Sequence, residues 1–182
     1  MAILTNKYIL PEFIDVIIIT LQYFPELKDI NIQFVQKKWF HFTLASLIDW
    51  KTLFGPRTKR KYTIVINTKI PVEFDHVLFG KLSKNLQIGM LGHELAHVVD
   101  YQQRNFLQIV KILILYTIPS LKQKFERSID IIAIKHGMGK YLHGFYTHIT
   151  SKHTHITKKF MESYLDDDQI KELTYQLTGE KI

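Results

Sequence analysis

Apolar residues recur at three- and four-residue spacings through residues 86–103 (LQIGMLGHELAHVVDYQQ). Leu86, Met90, Leu91, Leu95, Val98 and Val99 thereby make one buried side of a helix. Ser83 and Asn85 lie just upstream as N-cap residues. The same helical spacing runs through residues 125–137 (FERSIDIIAIKHG) by way of Phe125, Ile129, Ile132 and Ala133. Residues 11–24 (PEFIDVIIITLQYF) predict an earlier helix, with Pro11 in its first turn and Glu12 and Asp15 interrupting the apolar run. Two short stretches read differently: residues 30–35 (INIQFV) alternate apolar and polar positions, and residues 62–67 (YTIVIN) are rich in β-branched side chains, so both predict strands. Residues 158–182 predict one or two amphipathic helices behind an acidic cap at Asp166, Asp167 and Asp168, which suits packing better than chemistry.

Strands confined to the stretch before the longest helix predict an α+β fold, mostly helical, with a small mixed sheet ahead of residues 86–103. A chain of 182 residues that is 46% hydrophobic can bury one substantial core, and no Gly/Pro/Ser-rich linker divides it. A single domain over residues 1–182 is the expectation.

The predicted central helix carries His93-Glu94-Leu95-Ala96-His97, an HExxH pentapeptide. Residues four apart stack one turn above each other, so His93 and His97 can offer imidazole nitrogens to one ion at roughly 2.0–2.1 Å. Glu94 is turned about 100° around the same helix, beside the ion without ligating it. From there its carboxylate can take a proton from a zinc-activated water. A catalytic zinc usually takes three protein ligands. The metzincin arrangement fails, because Asp100 and Gln103 stand where it needs Gly and His. Glu126 and Asp130, four apart on the next predicted helix, share a face. Glu126 can supply the third ligand, while Asp130 accepts a hydrogen bond from the other nitrogen of a zinc histidine, most simply His93. An acidic pair at this spacing beside Arg127 also reads as ordinary solvated surface.

HELAH followed by Glu126, Asp130 and Ala133 resembles the gluzincin metallopeptidases over roughly residues 83–145. The 28 residues between His97 and Glu126 bring it closest to the HtpX-like and CAAX-prenyl-protease-like group. That resemblance implies a zincin-like fold, zinc held by His93, His97 and Glu126, Glu94 as general base and Asp130 behind the ligands. The chain departs from the group at Ile129, where Ala usually precedes the Asp. Members of the group carry transmembrane helices. Here residues 106–119 (FLQIVKILILYTIP) are the candidate, but they fall short of the roughly 20 apolar residues a span needs and contain Gln108 and Lys111. They predict a buried helix under the site or, with Lys122 and Lys124 nearby, a surface for peripheral contact with a membrane or a partner. Peptidases of this kind also pair an edge strand with extended substrate, a task for residues 62–67 or their neighbour. They need an oxyanion donor too, for which His143 or Tyr146 is available.

Charge and composition refine the picture. With no cysteine, thiolate zinc sites and disulfides are excluded, which suits a reducing cytoplasm. The N-terminus lacks the basic start and cleavage site of a secretory signal, which also points to the cytoplasm. Of the +7 net charge, much sits in Arg57, Lys59, Arg60 and Lys61, a run that reads as a solvated loop or as a nucleic-acid contact. His136, His143, His148, His153 and His155 crowd one segment without fitting a closed zinc pattern. The expectation is therefore a zinc-dependent peptidase acting on a peptide or protein substrate. A catalytically silent zinc-binding protein and a basic nucleic-acid-associated metalloprotein stand as alternatives.

Overall fold

A computed structural model describes residues 6–38, 44–69, 71–151 and 161–182. Helices dominate, and the strands lie ahead of the longest of them: β1 (Lys7–Tyr8), α1 (Ile14–Leu21), β2 (Asn31–Lys37), β3 (Leu44–Ile48), α2 (Trp50–Leu53) and β4 (Lys61–Asn67) precede α3 (Lys84–Gln103). Then come α4 (Phe106–Leu115), α5 (Pro119–Lys135), α6 (Gly139–Ser151) and α7 (Asp167–Thr178). The fold is α+β with a small mixed sheet, as the order of apolar patterns predicts.

The sheet runs β1-β2-β4-β3. β2 pairs parallel with both β1 and β4, and β3 closes the other side antiparallel to β4. Alternation sets its inner face, where Ile32 and Phe34 of β2 join Tyr62, Ile64 and Ile66 of β4 in the core. β4 contains the predicted strand 62–67, and it is interior, hydrogen-bonded on both sides. The sheet margin near the HExxH helix belongs to its neighbour β3, a strand that residues 44–48 (LASLI) do not announce by alternation.

α3 differs from its prediction in a useful way. Every residue from Gln87 to Tyr101 is buried, not one face alone. The physical reason is its setting, with α1, α5, α6 and β3 packed around it. Ser83 occupies the N-cap position without a side-chain hydrogen bond. At the other end, the guanidinium of Arg60 donates to the carbonyls of Tyr101 (2.9 Å) and Arg104 (2.8 Å), placing a positive charge at the negative end of the helix. Arg60 is buried, so it is withdrawn from the basic run. Arg57 and Lys59 remain exposed on a 3₁₀ turn and Lys61 at the start of β4.

α5 begins with Pro119 and ends in a Schellman motif. Gly137 adopts φ 78°, its N–H reaching Ile134 (2.8 Å) and that of Met138 reaching Ala133 (3.1 Å). This reversal returns α6 alongside α3. The two approach closely at Gly89, where a Cβ would sit 2.2 Å from the Tyr141 carbonyl oxygen. α4 is capped by a reciprocal Asn105/Gln108 box. It is amphipathic at the surface, burying Ile109 and Ile112, which corrects the first of the two readings of 106–119, a buried helix under the site. α7 carries an Asp166/Gln169 capping box, while the start of the predicted tail helices lies outside the described residues. No helix among the described residues is long and apolar enough to cross a membrane.

The close approach yields a prediction. Gly89→Ala pushes a methyl group into main chain that cannot yield, and should cost about 2 kcal/mol or more in thermal or urea unfolding. Gly144→Ala, whose added carbon meets only Leu86 Cδ2 at 3.8 Å, should leave the midpoint nearly unchanged.

Candidate metal centre

α3 and α5 face each other across the interior, and this brings together the residues that the HExxH and ExxxD spacings single out. His93 and His97 project from consecutive turns of α3, and Glu126 from α5 meets them. All three are buried. Glu126 Oε2 lies 3.3 Å from His93 Nε2 and 3.4 Å from His97 Nε2. Neither contact has hydrogen-bond geometry, so Oε2 is a buried oxygen without a hydrogen-bond partner. One donor atom from each residue falls within 4.8 Å of the others. Three such atoms facing one point, rather than bonded to each other, can hold a metal ion. Among the described residues this is the one group of His, Asp and Glu side chains that converges in this way.

Behind the three donors is a hydrogen-bonded support. Asp130, one turn beyond Glu126, is completely buried. Its Oδ1 accepts from the Tyr146 hydroxyl (2.6 Å) and faces His93 Nδ1 at 2.9 Å, while its Oδ2 accepts from the Leu165 N–H (3.0 Å). With Nδ1 carrying the proton, His93 is left with Nε2 as its donor atom toward the centre. Tyr116, just past the end of α4, donates to Glu126 Oε1 at 2.7 Å, which orients the carboxylate and leaves Oε2 free. Ile129, where Ala was the expected small residue, fits fully buried in the core.

The electrostatics follow from burial and proximity. Burial pushes the Glu126 carboxyl up, but the two imidazoles outweigh it and hold the group well below the usual carboxylate range. Burial opposes charge on His93, and Asp130 with Glu126 overcomes it, raising its pKa well above the ordinary histidine value. Tyr116 and Tyr146 are pushed up by burial and then by Glu126 and Asp130 respectively, so both phenols stay protonated as donors.

Glu94 follows His93 on α3 and is buried, and its partner is unexpected. Ser46 of β3 lies with Oγ 2.7 Å from Glu94 Oε2 and 2.8 Å from the Glu94 carbonyl oxygen, in donating position to both acceptors. The same strand offers main chain. The Asp49 N–H bonds the Lys61 carbonyl (2.9 Å), which makes that pair a hydrogen-bonded one in the β3/β4 register. Antiparallel alternation then puts Leu47 and Ala45 in bonded pairs, while Leu44, Ser46 and Ile48 turn their N–H and C=O groups away from β4. Among the described residues, no strand pairs with that side.

Other predicted residues go elsewhere. His143 is not brought to the centre: its Nε2 is paired with Asp167 Oδ1 of α7 at 2.5 Å, so it is a link between helices. Tyr146, the alternative, is spent on Asp130. His136 bonds Ile132 O and Glu26, and His148 faces the His76 carbonyl, while His153 and His155 lie outside the described residues. Asp100, at the failed metzincin position, forms a bidentate pair with Arg104. Sequence reasoning missed Ser46, Tyr116 and Tyr164, the last set edge-on to His93 with ring centroids 5.4 Å apart. Only sequence nearness to α5 hinted at Tyr116; nothing local marked Ser46 or Tyr164.

Comparisons of the chain with protein-family models, curated proteins and solved structures find no match.

The support around His93 is open to test. Asp130→Asn should weaken metal binding about 10- to 100-fold in competition with a chromophoric chelator. Glu126→Ala should weaken it further, whereas His143→Gln should bind as wild type. Unchanged affinity in Asp130→Asn, with folding verified by circular dichroism, would sink the role given to this carboxylate.

Proposed function

We propose that this chain is a zinc-dependent metallopeptidase of the gluzincin type, cleaving peptide bonds in an extended peptide or protein segment. The observation that carries this reading is the position of Glu94: its carboxylate belongs to the helix that supplies two of the three converging donors, and a serine from an open sheet edge holds it. The donor set itself, two imidazoles and one carboxylate without sulfur, is one of the usual sets for catalytic zinc.

Zinc held by these three residues would supply a Lewis acid that polarises a carbonyl and makes a water molecule more acidic. The chain's own groups do the rest. His93, His97 and Glu126 hold the ion, with Asp130 fixing the first ring and Tyr116 the carboxylate. Glu94 takes the proton from the attacking water and delivers it to the leaving amine. Ser46 keeps Oε2 of that carboxylate in place during both transfers. Leu44, Ser46 and Ile48 offer main-chain donors and acceptors to a substrate added as a further strand. Tyr164 is the donor we assign to the developing oxyanion: its ring stands edge-on to His93 with centroids 5.4 Å apart, and burial, then Glu126 and Glu94, hold its phenol protonated.

Purified protein with measured zinc content and a quenched-fluorescent casein substrate provide the test. Glu94→Gln should keep its zinc and lose hydrolysis by about 10²–10⁴-fold. A Glu94→Gln protein that still cleaves, or a zinc-loaded wild type that does not, would count against the peptidase reading and leave a zinc-binding protein. Ser46→Ala should lower kcat by about ten- to a hundredfold with little change in KM. Ser46→Thr should recover most of the loss.

A further inference from the structure

The α2–α4 surface combines exposed apolar side chains with an unbroken positive charge. Trp50 is 69% exposed and Phe54, one turn later, 71%. The Phe54 ring packs on Phe106 at 4.7 Å between centroids, which joins this pair to the start of α4. Along α4 and its exit, Leu107, Leu113, Ile114 and Ile118 remain open, at 67%, 69%, 57% and 43%. Leu107 and Ile114 are seven residues apart on α4, so they share a side facing away from the buried Ile109 and Ile112, and Ile118 follows in the turn before α5. Exposed apolar side chains along α4, with the Phe54–Phe106 pair at its start, mark an interaction surface.

Its charge narrows the partner. Residues 50–61 and 101–125, the two segments that meet at Phe54 and Phe106, contain nine Lys or Arg and not one Asp or Glu. Arg60 is buried and Arg104 is paired, while Lys51, Arg57, Lys59, Lys61, Lys111 and Lys124 are exposed. The acids flanking these segments are occupied: Asp49 accepts from the Lys51 N–H and Asp100 is held by Arg104. Exposed aromatic and aliphatic side chains on segments whose charges are all basic suit an interface where acyl chains lie beneath anionic headgroups. A second copy meeting this surface face to face would bring the same basic residues and no Asp or Glu from these two segments.

We propose that the α2–α4 surface docks peripherally on an anionic lipid bilayer, with Trp50, Phe54, Leu107, Leu113 and Ile114 entering the interface and the lysines of these segments meeting the headgroups. The inference stands apart from the peptidase reading, since it requires neither metal nor turnover. Through Tyr116, at the end of the same helix and bonded to Glu126, docking would also bring the metal centre close to the membrane surface.

Co-sedimentation of the full chain with vesicles tests it. The wild type should pellet with equimolar phosphatidylcholine–phosphatidylglycerol vesicles, far less with phosphatidylcholine alone, and less as salt rises. Leu113→Glu/Ile114→Glu should reduce the bound fraction at least tenfold, as should Lys111→Gln/Lys124→Gln. Leu177→Glu, on α7, should bind as wild type. All of these residues are surface-exposed, and a blue shift of tryptophan emission on vesicle addition, lost in Trp50→Phe, reads insertion without an α4 substitution. Equal binding to both vesicle types, no binding, or undiminished binding by the α4 variants would overturn the proposal. So would a dimer by light scattering that Leu113→Glu dissolves, because the surface would then belong to a second copy.

Discussion

One buried carboxylate organises this molecule. Asp130 has no exposed surface, and a carboxylate in such a place is tolerated only when its oxygens are fully engaged. It is engaged by α3 through His93, by α6 through Tyr146 and by the approach to α7 through the Leu165 N–H. A single side chain of α5 therefore sets the positions of three other parts of the chain. Glu126, one turn earlier on the same face, is delivered to the two imidazoles as a consequence. Losing the Asp130 carboxylate would leave donors unsatisfied on each of those elements, so packing of the helices and orientation of the three converging donors rest on the same contact.

Around that centre the fold builds two different surfaces. On one side β3 brings Ser46 against Glu94 and turns alternate main-chain groups away from β4, joining the proposed proton carrier to the sheet edge proposed to receive substrate. Beyond the centre, Tyr116 connects Glu126 to the exposed end of α4. The α3 helix can serve between them because every face of it is covered and Arg60 places a positive charge at its negative end. Rigidity of the ligand-bearing helix and exposure of its neighbours are complementary results of one packing arrangement.

Much of this was legible in the chain because it is written in local spacing. The HExxH pair, the Glu126/Asp130 pair and the apolar repeats around them each follow from helical geometry, and the structure brings those four polar residues together. What the chain does not disclose is settled by tertiary pairing. LASLI lacks alternation and becomes an edge strand only because β4 accepts it, and Ser46 has a role only because that edge crosses Glu94. His143 was plausible by sequence nearness to the zinc motifs, yet Asp167 captures it. Arg60 sits in a basic run but is drawn inward by the carbonyls ending α3. Residues 106–119 carry only Gln108 and Lys111 among apolar neighbours, and their division into a buried and an open face depends on which side α5 covers.

The central claim is that His93, His97 and Glu126 form one zinc site. X-ray absorption at the zinc edge, on protein loaded with one equivalent, tests it most directly. The account predicts four light ligands: two imidazole nitrogens at about 2.0–2.1 Å, a carboxylate oxygen at about 2.0–2.2 Å and one exchangeable oxygen. It also predicts that Glu126→Ala changes this shell. A shell without imidazole scattering, or one identical in the wild type and Glu126→Ala, would contradict it.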